Sequence, residues 1–161
     1  MDTDSQLLKI LKKQPLLIGI GNTLRQDDGA GVYLTQSLID AGYSKALVVH
    51  SNPENYLQKI NSINTEFRLW IDVVNWSAEP GEFRLFSLDE IDHIAISTHN
   101  FSLTVLINYL NQIKPAKDYL LGIQPVSIQL GEGLSLPVAN TIDQLLLLMK
   151  KTLLETSDKR K

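Results

Sequence analysis

Apolar positions along this chain change their period in blocks, and each block predicts an element. Leu7, Leu8, Ile10 and Leu11 recur at near-helical spacing and give way to Pro15, which predicts a short N-terminal helix. Leu16 to Gly21 is a continuous apolar run of strand length. Val32, Leu34, Leu38 and Ile39 then form one helical face between Ala30 and Ile39, ending near Gly42. Ala46 to His50 reads as a second short strand, and Pro53 to Ile63 as a helix with proline in its first turn.

The second half repeats the scheme. Phe67 to Val74 is apolar on both faces, as a central strand is, and is interrupted towards its far end by Asp72. Phe83 to Phe86 alternates like a half-exposed strand after the turn at Glu79-Pro80-Gly81, and Ile94 to Ile96 is a short apolar run. Phe101 to Leu110 is amphipathic at helical spacing, Tyr119 to Ile123 is a strand stopped by Pro125, and Val138 to Leu154 is a C-terminal helix. Strands separated by helices predict a mostly parallel, doubly wound α/β sheet covered on both faces. No repeat or linker divides the chain. Residues 1–161 read as one domain, with 1–14 as an N-terminal extension and 155–161 as a frayed tail.

Composition narrows the functional classes. A chain of 161 residues can bury a real core, and its 43% hydrophobic and 20% charged content is that of an ordinary globular protein. A formal net charge of −3, with no basic block in the body, argues against nucleic acid as a partner. No stretch reaches the ~18 apolar residues that a membrane span needs. The opening Met1-Asp2-Thr3-Asp4-Ser5-Gln6 is the wrong start for a secretory signal, and zero cysteines fit a reducing compartment, so a cytoplasmic location is expected. Zero cysteines also exclude a thiol nucleophile or thiolate metal site within this chain. Without coiled-coil heptads or a long exposed apolar stripe, a monomer is expected.

The candidate chemistry starts at Gly19-Ile20-Gly21-Asn22-Thr23-Leu24-Arg25-Gln26-Asp27-Asp28-Gly29-Ala30-Gly31. Glycines let the chain turn sharply at the strand end, where open α/β sheets hold their ligands. The run lacks the third glycine of a dinucleotide fingerprint and the lysine of a P-loop, and two aspartates there would repel a pyrophosphate. Asp27 is read as a helix N-cap, whereas Asp28 is the candidate site ligand. Asp72 is a carboxylate within an apolar strand, seldom buried without a partner. Its plain alternative is a solvent-edge residue that opens the next loop. His99 is one of three histidines, with His50 and His93, and its plain alternative is a structural hydrogen-bonding group. If the strand ends converge, two carboxylates and one imidazole meet, a set that suits either a divalent metal or general acid–base chemistry. Gln124 is expected to project from the same sheet end, where its amide could bind a peptide backbone. Asn22 and Asp27 are further candidate substrate contacts. Trp70 is expected in the core and Trp76 at the rim of the crevice. Neither G-x-S-x-G nor H-E-x-x-H is present.

These segments together resemble the hydrogenase maturation proteases. Gly19 to Leu24 with Asp27 to Gly31, then Ile71-Asp72, Thr98-His99-Asn100 and Leu121-Gly122-Ile123-Gln124-Pro125 follow the family's order from about Leu16 to Met149. Pro53-Glu54-Asn55, Pro80-Gly81-Glu82 and Gly122 to Pro125 look most like the formate-hydrogenlyase type. The resemblance implies a three-layer α/β/α domain and an aspartic-type endopeptidase by family assignment. It implies a site formed by Asp28, Asp72 and His99 that recognises nickel. That nickel is supplied by the substrate, the large-subunit precursor of a nickel–iron hydrogenase, from which a C-terminal extension is removed. One departure stands out: many relatives carry an aspartate followed by glycines after the second strand, where this chain has His50-Ser51-Asn52. Two rival readings are a hydrolase using its own divalent cation on a small substrate, and a non-catalytic nickel-dependent maturation chaperone.

Overall fold

The computed structural model describes residues 2–93 and 102–158, so the expectations placed on Ile94 to Ile96 and on His99 lie outside the described residues. Five strands, β1 (Leu16–Ile20), β2 (Ala46–His50), β3 (Phe67–Val73), β4 (Phe83–Ser87) and β5 (Lys117–Ile123), form one sheet in the order β2-β1-β3-β5-β4. All neighbours are parallel except β4, which lies antiparallel against β5 at one edge. The helices are α1 (Thr3–Leu11), α2 (Ala30–Asp40), α3 (Leu57–Ser62), α4 (Leu88–Ile91), α5 (Leu103–Ile113) and α6 (Leu136–Asp158).

Strand alternation builds two cores. Leu17, Leu69, Ile71 and Leu121 face the layer of α1, α2 and α6, packing on residues such as Leu7, Leu34 and Met149. Leu16, Ile18, Trp70 and Leu120 face the other way, onto Ile60 of α3 and Leu106, Ile107 and Leu110 of α5. The result is a three-layer α/β/α domain with a mostly parallel, doubly wound sheet. Leu7 and Leu11 of α1 are fully buried, so this helix is part of the core. At the other end α6 runs on through Asp158, past residue 155, where a frayed tail is predicted.

Two elements differ from the sequence reading. The predicted helix over Pro53 to Ile63 divides into a 3-10 turn, Pro53–Tyr56, followed by α3. Pro53 lacks an N–H and Asn52 makes no side-chain cap, so nothing pins a regular first turn there. Helix α4 was not predicted, being a single turn too short for a periodic signal. It is held by a capping box in which Ser87 and Glu90 satisfy each other's backbone N–H groups. Among the described residues no helix is long and apolar enough to cross a membrane.

Candidate active site

Chain order reverses at β1. The chain leaves β1 for β2 on one side and returns to β3 on the other, which makes the carboxyl ends of β1 and β3 the switch point of the sheet. Gly19 pairs with Ile71 across these strands, so the next positions along each are Ile20 and Asp72. Asp72 ends up only 5% exposed, with its Oδ1 accepting from the Val73 N–H at 2.8 Å.

Asp28 reaches the same end from β1. A 3-10 turn over Gln26–Gly29 leads into α2, and this turn packs on β3. Asp28 is 2% exposed, and the Asn22 N–H donates both to its backbone oxygen at 3.2 Å and to its Oδ2 at 3.0 Å. Two glycines make this approach possible. A Cβ on Gly21, which has φ +144°, would collide with the Asp28 carbonyl oxygen. A Cβ on Gly31 would collide with the carbonyl oxygens of Ile71 and Ile20, so α2 starts in direct backbone contact with both strands. The sequence places Asp28 and Asp72 at one sheet end, and the structure carries Asp72 on β3 and Asp28 on the 3-10 turn that follows β1 and packs on β3.

Asp27 has another task than the predicted helix cap: neither the 3-10 turn nor α2 has a side-chain cap. Its side chain is fully buried and clamps the loop between β5 and α6. Its Oδ2 accepts from the Val126 N–H at 2.8 Å, the Ser135 hydroxyl at 2.8 Å and the Ser127 N–H at 3.4 Å, while Oδ1 accepts from the Ser135 N–H at 2.7 Å. Asn22 closes a local turn, its Oδ1 accepting from the Leu24 N–H at 2.9 Å.

Gln124 does lie at this sheet end and does bind peptide groups, but they belong to its own chain. Its Oε1 accepts from the N–H groups of Trp76 at 3.0 Å and Ala78 at 3.2 Å, and its Nε2 donates to Asn75 Oδ1 at 3.1 Å. It fixes the loop that follows Asp72. Trp70 is fully buried, and Trp76 is half-buried, edge-on to Phe86 with ring centroids 5.4 Å apart.

The sequence reading missed a buried ion pair at the opposite end of the sheet. Arg68 Nε and Asp118 Oδ1 lie 2.7 Å apart, and Trp70 Nε1 donates to the same carboxylate at 2.8 Å. Asn111 of α5 adds a bond from its Nδ2 to Asp118 Oδ2 at 3.1 Å. The predicted strand began only at Tyr119, whereas β5 starts at Lys117, which brings Asp118 into register with Arg68 on β3.

A parallel sheet with two buried acids where its strand order reverses is the layout of an α/β enzyme that works at its strand ends. The chain belongs to the hydrogenase maturation protease family, a family of peptidases, whose HycI model matches residues 33–151. That span includes Asp72 and His99 and begins just after Asp28. The hydrogenase 3 maturation protease of Escherichia coli K12 is 28% identical over 131 residues, which cover 80% of this chain and 83% of that protein. The crystal structure of the NiFe hydrogenase maturation protease HycI from Thermococcus kodakarensis superimposes with a TM-score of 0.81 at 27% identity, covering 92% of this chain and 98% of that one. The solution structure of the endopeptidase HycI from Escherichia coli gives a TM-score of 0.71 at 26% identity, covering 83% and 86%.

Proposed function

We propose that this protein removes the C-terminal extension from a nickel-loaded hydrogenase large-subunit precursor. In this reading Asp28, Asp72 and His99 engage the nickel that the precursor already carries. One observation carries the proposal: two carboxylates from different elements, each more than nine-tenths buried, share the carboxyl ends of β1 and β3. A site of carboxylates and one imidazole does not favour nickel over copper by affinity, so selectivity comes from the precursor's own ligands. One carboxylate then acts as general base, taking a proton from the water that attacks the scissile carbonyl and passing it to the amine nitrogen as the C–N bond breaks.

The test mixes the purified protein with a cognate precursor, with and without nickel loaded, and follows the precursor's mass. Loss of the extension from the loaded form alone is the expected result. Binding without a change in mass supports a chaperone instead. Asp28→Asn, Asp72→Asn and His99→Ala are each expected to lower cleavage by about 100-fold or more, the scale of a positioned acid–base group. Undiminished cleavage in these variants would remove the site assignment.

A further inference from the structure

Around the Asp27 clamp, on the turn that leads to Asp28, lies an apolar surface that its own fold does not use. Leu24 is 63% exposed, Val126 55%, Leu130 79% and Leu136 74%. Single exposed leucines need no explanation, but gathered ones mark a contact surface. These four are gathered by hydrogen bonds. The Gly131 N–H donates to the Leu24 carbonyl oxygen at 3.0 Å, and the Gln26 N–H donates to the Gly131 oxygen at 2.9 Å, which sets Leu130 beside Leu24. The Asp27 carboxylate takes the N–H groups of both Val126 and Ser135, so positions 126 and 136 flank a single anchor. Arg25 Nε donates to the Ile128 oxygen at 3.1 Å and fastens the two loops again.

We propose that Leu24, Val126, Leu130 and Leu136 form a preorganised docking rim for an apolar patch on the folded hydrogenase precursor. The inference rests on the protease reading above and names the surface by which that substrate is held. The occupant follows from continuity. Asp27, which braces the rim, is covalently next to Asp28, so a folded protein presenting its metal to Asp28 lies across these side chains. Chemistry agrees: within 22–26 and 126–136 the only charged side chains on the loops, apart from the buried anchor, are Arg25 and Glu132. Holding the loops rigid before binding removes an ordering cost that flexible loops would incur on association.

The test uses the full chain carrying Leu24→Ser with Leu130→Ser and, separately, Leu130→Asp. Precursor affinity, KM and kcat are measured for each, together with the melting temperature and the sedimentation coefficient of the free protein. The expected result is a KM and a precursor Kd raised tenfold or more, with kcat within twofold and unchanged melting. A KM and Kd within twofold of wild type in both variants would overturn the rim, as would a loss confined to kcat. A wild-type dimer that Leu130→Asp dissociates, with KM unchanged, would assign the rim to a second copy and also overturn the proposal. If the wild type binds the precursor without cutting it and the variants fail to bind, the rim stands and the protease reading falls. If all forms cut alike, the reverse holds.

Discussion

Removing the Asp27 carboxylate is expected to release the 126–135 loop and lower stability sharply. Asp27→Ala deletes the acceptors of Val126, Ser127 and two Ser135 donors, of which the 3.4 Å bond from Ser127 is the weakest. A hydrogen bond to a charged group contributes ~1.5–3 kcal/mol net. The released loop can rehydrate its donors and the bonds act as a unit, so simple addition overstates the loss. Taking two full equivalents as lost gives about 3–6 kcal/mol. For a chain of this size each kcal/mol shifts Tm by roughly 2–4 °C, so a fall of about 6–24 °C is expected. Asp27→Asn keeps one acceptor oxygen and is expected to fall between that variant and wild type. Calorimetry gives the melting point, and hydrogen exchange shows whether the amides of Val126 and Ser135 lose protection. An Asp27→Ala protein that melts within about 2 °C of wild type with those amides still protected would refute the clamp.

Three further outcomes are expected. Gly31→Ala puts a methyl group against the Ile71 and Ile20 carbonyl oxygens, so denaturant titration should show a loss of at least ~1–3 kcal/mol, with cleavage reduced in the folded fraction. Asp118→Ala strands Arg68 as a buried unpaired charge and should cost about 3–5 kcal/mol, yet kcat/KM per folded molecule should hold, because the pair sits at the far end of the strands from Asp72. Burial pushes the Tyr43 phenol well above its ordinary value, and its hydroxyl donates to the Pro15 oxygen at 2.6 Å. The unfolded chain therefore ionises first: this contribution to stability is whole below about pH 10 and shrinks as pH rises beyond it, so unfolding titrations between about pH 9 and 11 should show wild type losing its advantage over Tyr43→Phe.

What could be seen in the chain beforehand follows from range. Strand β2 matches its predicted limits, Ala46 to His50, because a short apolar block announces itself locally. The turn that carries Asp28 was visible for the same reason, as glycines and acids there are contiguous. The work of Asp27 was not, since its donors Val126 and Ser135 lie 99 and 108 residues away. Gln124 was placed at the right end of the sheet by its strand. Its partners in the Trp76 loop depend on how that loop folds back, which periodicity does not encode. Arg68 lay inside a strand read as apolar and Asp118 just before the predicted start of another at Tyr119, and a charge matched across two strands carries no signature in either alone. The position of His99 lies outside the described residues and rests on the family's pattern.

The backbone seam at Gly21 and Gly31 has a consequence for tolerance to change. The height of one acid above the sheet is set by main-chain atoms in contact, with no side chain acting as a spacer between them. Hydrophobic residues elsewhere can therefore drift in size and shape while the turn that carries Asp28 stays seated on the ends of β1 and β3. A library that randomises the interior but spares these two glycines should keep Asp28 in its place far more often than one that does the opposite.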